Sequence, residues 1–179
     1  ESKIVKRNTP NYLAKQLLKY EIVSFDIFDT LILKPFSDPS HLFLILAEKH
    51  NTPNFMAVRI EAEKEARKLA EISKGNQEVT IYEIYDIVEY KTGINRDYGV
   101  KVEMETELEF CFPNPYMKEI YQMVLAQNKK IIGISDTYLT KKQVSEILDK
   151  NGFFGFEDIY VSSENNCSKK DKNLYKLIL

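Results

Sequence analysis

Three short apolar runs, each flanked by helical sequence, constrain this chain more than any other feature. EIVSFDIFDTLIL (21–33), IIGIS (131–135) and DIYVSS (158–163) are rich in β-branched and aromatic residues, as strands buried in a parallel sheet are. Around them the spacing is helical. Thr9-Pro10 caps NYLAKQLLKY, with proline in the first helical turn. NPYMKEIYQMVLAQNKK leads into the second run. Thr140 caps TKKQVSEILDKNG before the third, and SKKDKNLYKLIL follows it as a loop and then a helix.

Strand–helix alternation of this kind implies an α/β fold, a doubly wound, Rossmann-like parallel sheet with right-handed crossovers. A block of about four helices interrupts it. Asp38-Pro39 starts SHLFLILAEKH, and Pro53 opens a long helix that ends near Gly75. Thr80 and Glu83 form a capping box before YEIYDIVEYK, which runs to Gly93, and residues 97–110 give a fourth helix closed by Pro113. The block is too long for a crossover. It predicts a helical cap domain over 36–112, inserted into a core made of 1–35 and 113–179.

At 179 residues the chain is long enough to bury a substantial core. Lys and Arg total 25 against 27 Asp and Glu, a net charge of −2, which argues against nucleic acid or an anionic membrane as a bulk electrostatic partner. No stretch nears the roughly 18 consecutive apolar residues of a membrane helix, and no signal peptide opens the chain. Cys111 and Cys167 are far apart in unlike contexts, which suits a reducing, cytoplasmic setting better than a disulfide framework. A start without methionine and an end in mid-periodicity at KLIL suggest a piece of a larger protein.

In an open parallel sheet, ligands bind outside the carboxyl ends of the strands. The first run delivers Asp26 and then Asp29-Thr30 to that edge, the second Ser135 and then Asp136-Thr137. The third leads through SSENNC to Lys169 and Lys170. A carboxylate, a hydroxyl and an ammonium converge there from separate loops.

In order, FDIFDTL, IIGISDT and the lysine of SKKDKNLY resemble the first three motifs of the haloacid dehalogenase-like (HAD) hydrolase superfamily. The likeness is nearest to a bacterial subgroup often found beside glycosyltransferase modules, and the helical insertion fits that family's cap. The resemblance implies a phosphatase of a small phosphorylated metabolite, such as a sugar phosphate. Asp26 would be the nucleophile that forms an aspartyl-phosphate. Mg²⁺ would be held in part by Asp26 and the backbone carbonyl of Phe28. Ser135 would hydrogen-bond a phosphoryl oxygen, and Lys169 would stabilise the negative charge. Lys169 fits the motif better than Lys170 by its spacing to Leu174-Tyr175. The helix start near Thr30 would add N–H groups aimed at the anion.

Two departures bear on activity. The family's second aspartate, the general acid and base, falls at Phe28, which cannot move a proton; Asp29 follows it. Asp29 either turns inward to serve or is a turn residue bonding its own backbone. The fourth, acidic motif that completes the metal shell would lie beyond Leu179, so the resemblance implies weak metal binding and little activity in this chain.

Asp136 and Thr137 either line the pocket or shape the turn. In the cap, RIEAEKEARKLAE reads as a largely solvated face with pairs such as Glu63 and Arg67. Arg59 is either a surface arginine or a residue reaching down to substrate. His41 and His50 read as surface or helix-end residues, and Tyr82, Tyr85 and Tyr90 as core or cap-interface residues. Two readings compete with the phosphatase. A 2-haloacid dehalogenase also has an aromatic residue at the Phe28 position and would use an arginine near Arg59. A non-catalytic HAD-like module would bind a ligand or a neighbouring domain. A receiver domain is disfavoured by the helical insertion between Asp26 and Ser135.

Overall fold

The computed structural model describes residues 8–178; the parts of the predicted core at 1–7 and 179 lie outside it. Helix α1 spans Pro10–Leu17, its first turn held by the Thr9 hydroxyl, which accepts from the Tyr12 N–H. Strand β1 (Ile22–Asp26) follows. The run 21–33, expected as one strand, then breaks. The Ile27 carbonyl accepts N–H bonds from Leu31 at 2.8 Å and Ile32 at 2.9 Å, closing a single turn with Asp29 in the left-handed region at φ 59°. Aspartate tolerates that conformation better than most residues. The helix start expected near Thr30 is therefore absent, and the Thr30 N–H faces the Ile27 carbonyl at 3.4 Å. Beyond the turn, β2 (Ile32–Leu33) pairs antiparallel with β3 (Phe112–Pro113) in a separate two-stranded ribbon.

Between β2 and β3 the chain is helical. Asp38 caps a short 3-10 turn, Pro39–His41. Helices α2 (Leu42–Lys49), α3 (Phe55–Lys74), α4 (Ile81–Thr92) and α5 (Arg96–Phe110) follow. Both bonds of the predicted Thr80–Glu83 capping box are present. Gly75 and Gly93 end α3 and α4 at φ 71° and 76°, where a side chain would be strained. Arg59, Ala62, Ala66 and Ala70 form the buried stripe of α3, and the small alanines suit close helix packing. Of the three tyrosines expected in the core or at the cap interface, only Tyr85 is buried; Tyr82 is exposed, and Tyr90 is 90% exposed.

After β3 come α6 (Pro115–Leu125), β4 (Lys130–Ser135), α7 (Lys141–Lys150), β5 (Asp158–Val161) and the short helices α8 (Ser162–Asn165) and α9 (Asn173–Lys176). The third run therefore ends two residues early, and Ser162 and Ser163 turn into α8. Strands β1, β4 and β5 form a parallel sheet in that order, with Asp26 opposite Ile134 and Ser135 opposite Val161.

The α/β class is as expected, but the two faces of the sheet are unequal. Val23, Phe25, Ile131, Ile159 and Val161 join a buried cluster with Ala14 of α1, Tyr121 of α6 and Val144 of α7. On the other face Ile132 and Ile134 pack with Leu174 of α9. Among the described residues, that face carries one four-residue helix where a doubly wound sheet carries a full layer. The first cluster continues through Leu139 into Ile84 and Ala66 of the helical block, so the two regions share one core.

Candidate active site at the strand ends

Register alone places Asp26 and Ser135 at the same edge of the sheet, one residue apart in neighbouring strands. Asp26 ends β1 and Ser135 ends β4, where the chain leaves its extended path. The loop after α8 brings Lys169 to the same place. Its ammonium donates to Asp26 Oδ1 and lies 3.5 Å from the Ile134 carbonyl. The other carboxylate oxygen, Oδ2, accepts from the Thr30 hydroxyl at 2.8 Å. The side chains of Asp26 and Lys169 are 41% and 23% exposed. An ion pair so open to water contributes about 1 kcal/mol or less to stability; its consequence here is to fix a carboxylate and a cation together at a strand end.

Asp136 positions this lysine: its Oδ1 accepts the backbone N–H of Lys169 at 2.8 Å. Thr137 is tied into its turn, donating its N–H to Ser162 Oγ at 3.0 Å and accepting from the Leu139 N–H at 3.2 Å. Both residues also line a cleft of about 340 Å³ between the strand-end turns and the helical block. Pocket lining and turn shaping, taken as alternatives from sequence, coexist. Ser135 is 1% exposed and its hydroxyl bonds neither Asp26 nor Lys169. Lys170 is exposed, and Lys169 is the neighbour that contacts Asp26.

Phe28 and Asp29 form the opposite lip of the cleft. The Asp29 N–H donates to the Ile32 carbonyl at 2.8 Å, as a turn residue does, while its exposed side chain borders the cleft. Asn114 anchors this turn. Its amide donates to the Thr30 carbonyl at 2.9 Å, its N–H to the Leu31 carbonyl at 2.8 Å, and its Oδ1 caps α6. Sequence reasoning used Asn114 only as the start of a helix; the Asn-Pro pair signalled the cap but not the turn 84 residues away.

Arg59 corrects an expectation. It is fully buried and absent from the cleft wall. Its Nε and Nη2 donate to the two oxygens of Glu103, each at 2.9 Å, and the Tyr85 hydroxyl donates to the same carboxylate at 2.8 Å. The rings of Phe43 and Tyr138 lie 4.7 and 4.9 Å from the guanidinium. Burial alone would lower its pKa, but Glu103 outweighs that and holds it above the usual value. Arg59 is a structural charge inside the helical block.

Other residues that reach the cleft, from the helical block and from Lys34 just before it, were read from sequence as solvated surface or not singled out at all. Lys34 donates to Glu107 at 2.6 Å, and Arg67 donates to Glu63 through Nε at 3.0 Å and Nη2 at 2.8 Å. Burial pushes the Glu107 carboxyl up, against the pull of Lys34.

A divalent cation needs several oxygen ligands around one point. Among the described residues no group of three His, Cys, Asp or Glu side chains is gathered to hold one, and Asp26 is already engaged on both oxygens. The described donors therefore do not by themselves make a Mg²⁺ site. Among the same residues no helix is long and apolar enough to cross a membrane. No model of a known protein family matches the chain, and no curated protein is significantly similar to it.

Proposed function

We propose that this chain is the core and helical cap of a HAD-like phosphatase acting on a small phosphorylated metabolite in the cytoplasm. The observation that carries the proposal is the contact between Lys169 and Asp26, residues 143 apart in sequence, at the carboxyl ends of parallel strands. In the proposed reaction one Asp26 oxygen attacks phosphorus. The bond from phosphorus to the leaving oxygen breaks, and Asp29 gives that oxygen its proton. Water then cleaves the aspartyl-phosphate, giving a proton back to Asp29, returning the Asp26 carboxylate and releasing inorganic phosphate. Lys169 offsets the charge of the carboxylate and the phosphoryl group, Ser135 hydrogen-bonds a phosphoryl oxygen, Thr30 holds Asp26 through its hydroxyl, and Asp136 and Thr137 shape the wall. Mg²⁺ is proposed as the cofactor by resemblance alone, through Asp26 and the Phe28 carbonyl, and no step above is routed through it.

The test is hydrolysis of p-nitrophenyl phosphate with Mg²⁺ or with EDTA. We expect slow turnover that Asp26→Asn abolishes; turnover retained in that variant rules out Asp26 as nucleophile. A second reading, a non-catalytic ligand-binding module, is favoured by Phe28 standing where a proton carrier is expected. Phosphate ester binding without turnover supports it. The dehalogenase reading loses its arginine, since Arg59 is enclosed by Glu103, Phe43 and Tyr138.

A further inference from the structure

Asp26 and Lys169 do not line the cleft, but Asp136, which holds the Lys169 N–H, does, and the wall beyond it has a chemistry that the phosphatase reading does not use. At about 340 Å³ the space matches a small organic group. Phe28, Phe36 and Tyr138 give it aromatic surface. Lys34 and Arg67 are its only two cationic side chains among the described residues, and both are already engaged. Lys34 is on Glu107; Arg67 is on Glu63 and, through Nη1 at 2.8 Å, on the Gln77 carbonyl.

Three further carboxylates, Asp29, Glu78 and Asp136, line the same space with no ion-pair partner among the described residues. The unused hydrogen-bonding capacity of the wall is therefore mostly that of acceptors, and ionised carboxylates cannot donate. A second anionic group on a ligand would meet repulsion and unmatched acceptors. An ammonium would meet both a counter-charge and an aromatic face. The protein supplies an internal example of such a contact: the Lys34 ammonium lies 5.5 Å over the Phe28 ring while paired to Glu107, the combination that holds organic cations.

We infer that the cleft selects phosphate monoesters whose leaving group carries an ammonium, such as aminoalkyl or amino-sugar phosphates, and rejects those with a second anion. The inference rests on the phosphomonoester reading, with the phosphate at the Asp26–Lys169 edge and the cation toward Glu78, Asp136 and the Phe28 ring.

The experiment is calorimetric titration of the chain with 2-aminoethyl phosphate, 2-hydroxyethyl phosphate and 2-phosphoglycolate, which are similar in size and differ in the charge of one end. From a cation–ring contact and partly exposed carboxylates, we expect 2-aminoethyl phosphate to bind about tenfold tighter than 2-hydroxyethyl phosphate, with 2-phosphoglycolate weakest. Glu78→Gln should shrink the first difference at least severalfold. Equal affinities, tighter binding of 2-phosphoglycolate, or binding of none of the three overturns the inference. Turnover of p-nitrophenyl phosphate without this order sinks the inference alone. The order without turnover sinks the phosphatase reading alone.

Discussion

Removing the carboxylate of Glu103 should damage the protein far more than removing the whole buried pair. Arg59 and Glu103 are both completely buried, with two 2.9 Å bonds between them and Tyr85 on the same carboxylate. Glu103→Ala leaves a guanidinium that cannot lose its proton, with Glu63 at 3.2 Å as its one remaining charged partner among the described residues. Stranding one member of a buried pair costs about 3–5 kcal/mol. The Glu63 contact places this case near the lower end, about 3 kcal/mol, and at about 2–4 °C per kcal/mol for a chain of this length the melting temperature falls by about 6–12 °C. Arg59→Met should cost less, because a lone buried carboxylate can take up a proton. The double variant Arg59→Met/Glu103→Leu carries no buried charge there and should lie within about 2 kcal/mol of the parent. Urea unfolding of all four proteins measures this. A double variant as unstable as the sum of the single losses would refute the reasoning, as would a Glu103→Ala loss below about 1 kcal/mol.

Other outcomes follow from single contacts. Lys169→Met should abolish turnover yet shift stability by less than about 1 kcal/mol, because its pair with Asp26 is open to water; unfolding midpoints and p-nitrophenyl phosphate assays separate the two effects. Asp29→Asn should slow hydrolysis of alkyl phosphates far more than of p-nitrophenyl phosphate, whose leaving group needs no proton, and equal losses would remove Asp29 from the proton-donor role. Burial holds the His50 pKa below its ordinary value, and its Nε2 is buried without a hydrogen-bond partner among the described residues. Between that lowered pKa and about 6.5 the unfolded chain binds the extra proton, so stability should fall as pH drops through this window; His50→Gln should flatten that limb of the melting-temperature profile. The Cys111 thiol, pushed up to about 12 by burial and by Glu107, should resist iodoacetamide in the folded chain, while the part-exposed Cys167 reacts first.

Local signals explain what could be read in advance. Thr9-Pro10, the Thr80–Glu83 capping box, Gly75, Gly93 and Thr140 are cap chemistry written in adjacent residues, and the helices they bound lie where expected. The strand-end rule brought Asp26 and Lys169 together across most of the chain. Failures occurred where partners are distant and carry no local mark. Nothing near Arg59 announces that Glu103 will neutralise it 44 residues later, and helical periodicity cannot separate buried Tyr85 from exposed Tyr90. The break at 27–31 was hidden because Ile27, Phe28 and Leu31 continue the apolar composition of a strand, while the turn is set by Asp29 and by Asn114 far downstream.

The most direct test of the Asp26–Lys169 centre is a search for a phosphoryl group on Asp26. The chain is incubated with acetyl phosphate and Mg²⁺, quenched in acid and mapped by peptide mass spectrometry. A phosphoryl adduct confined to the peptide containing Asp26, and lost in Asp26→Asn, is the expected result. An adduct on another residue, or hydrolysis with no adduct and no dependence on Asp26, would contradict the account.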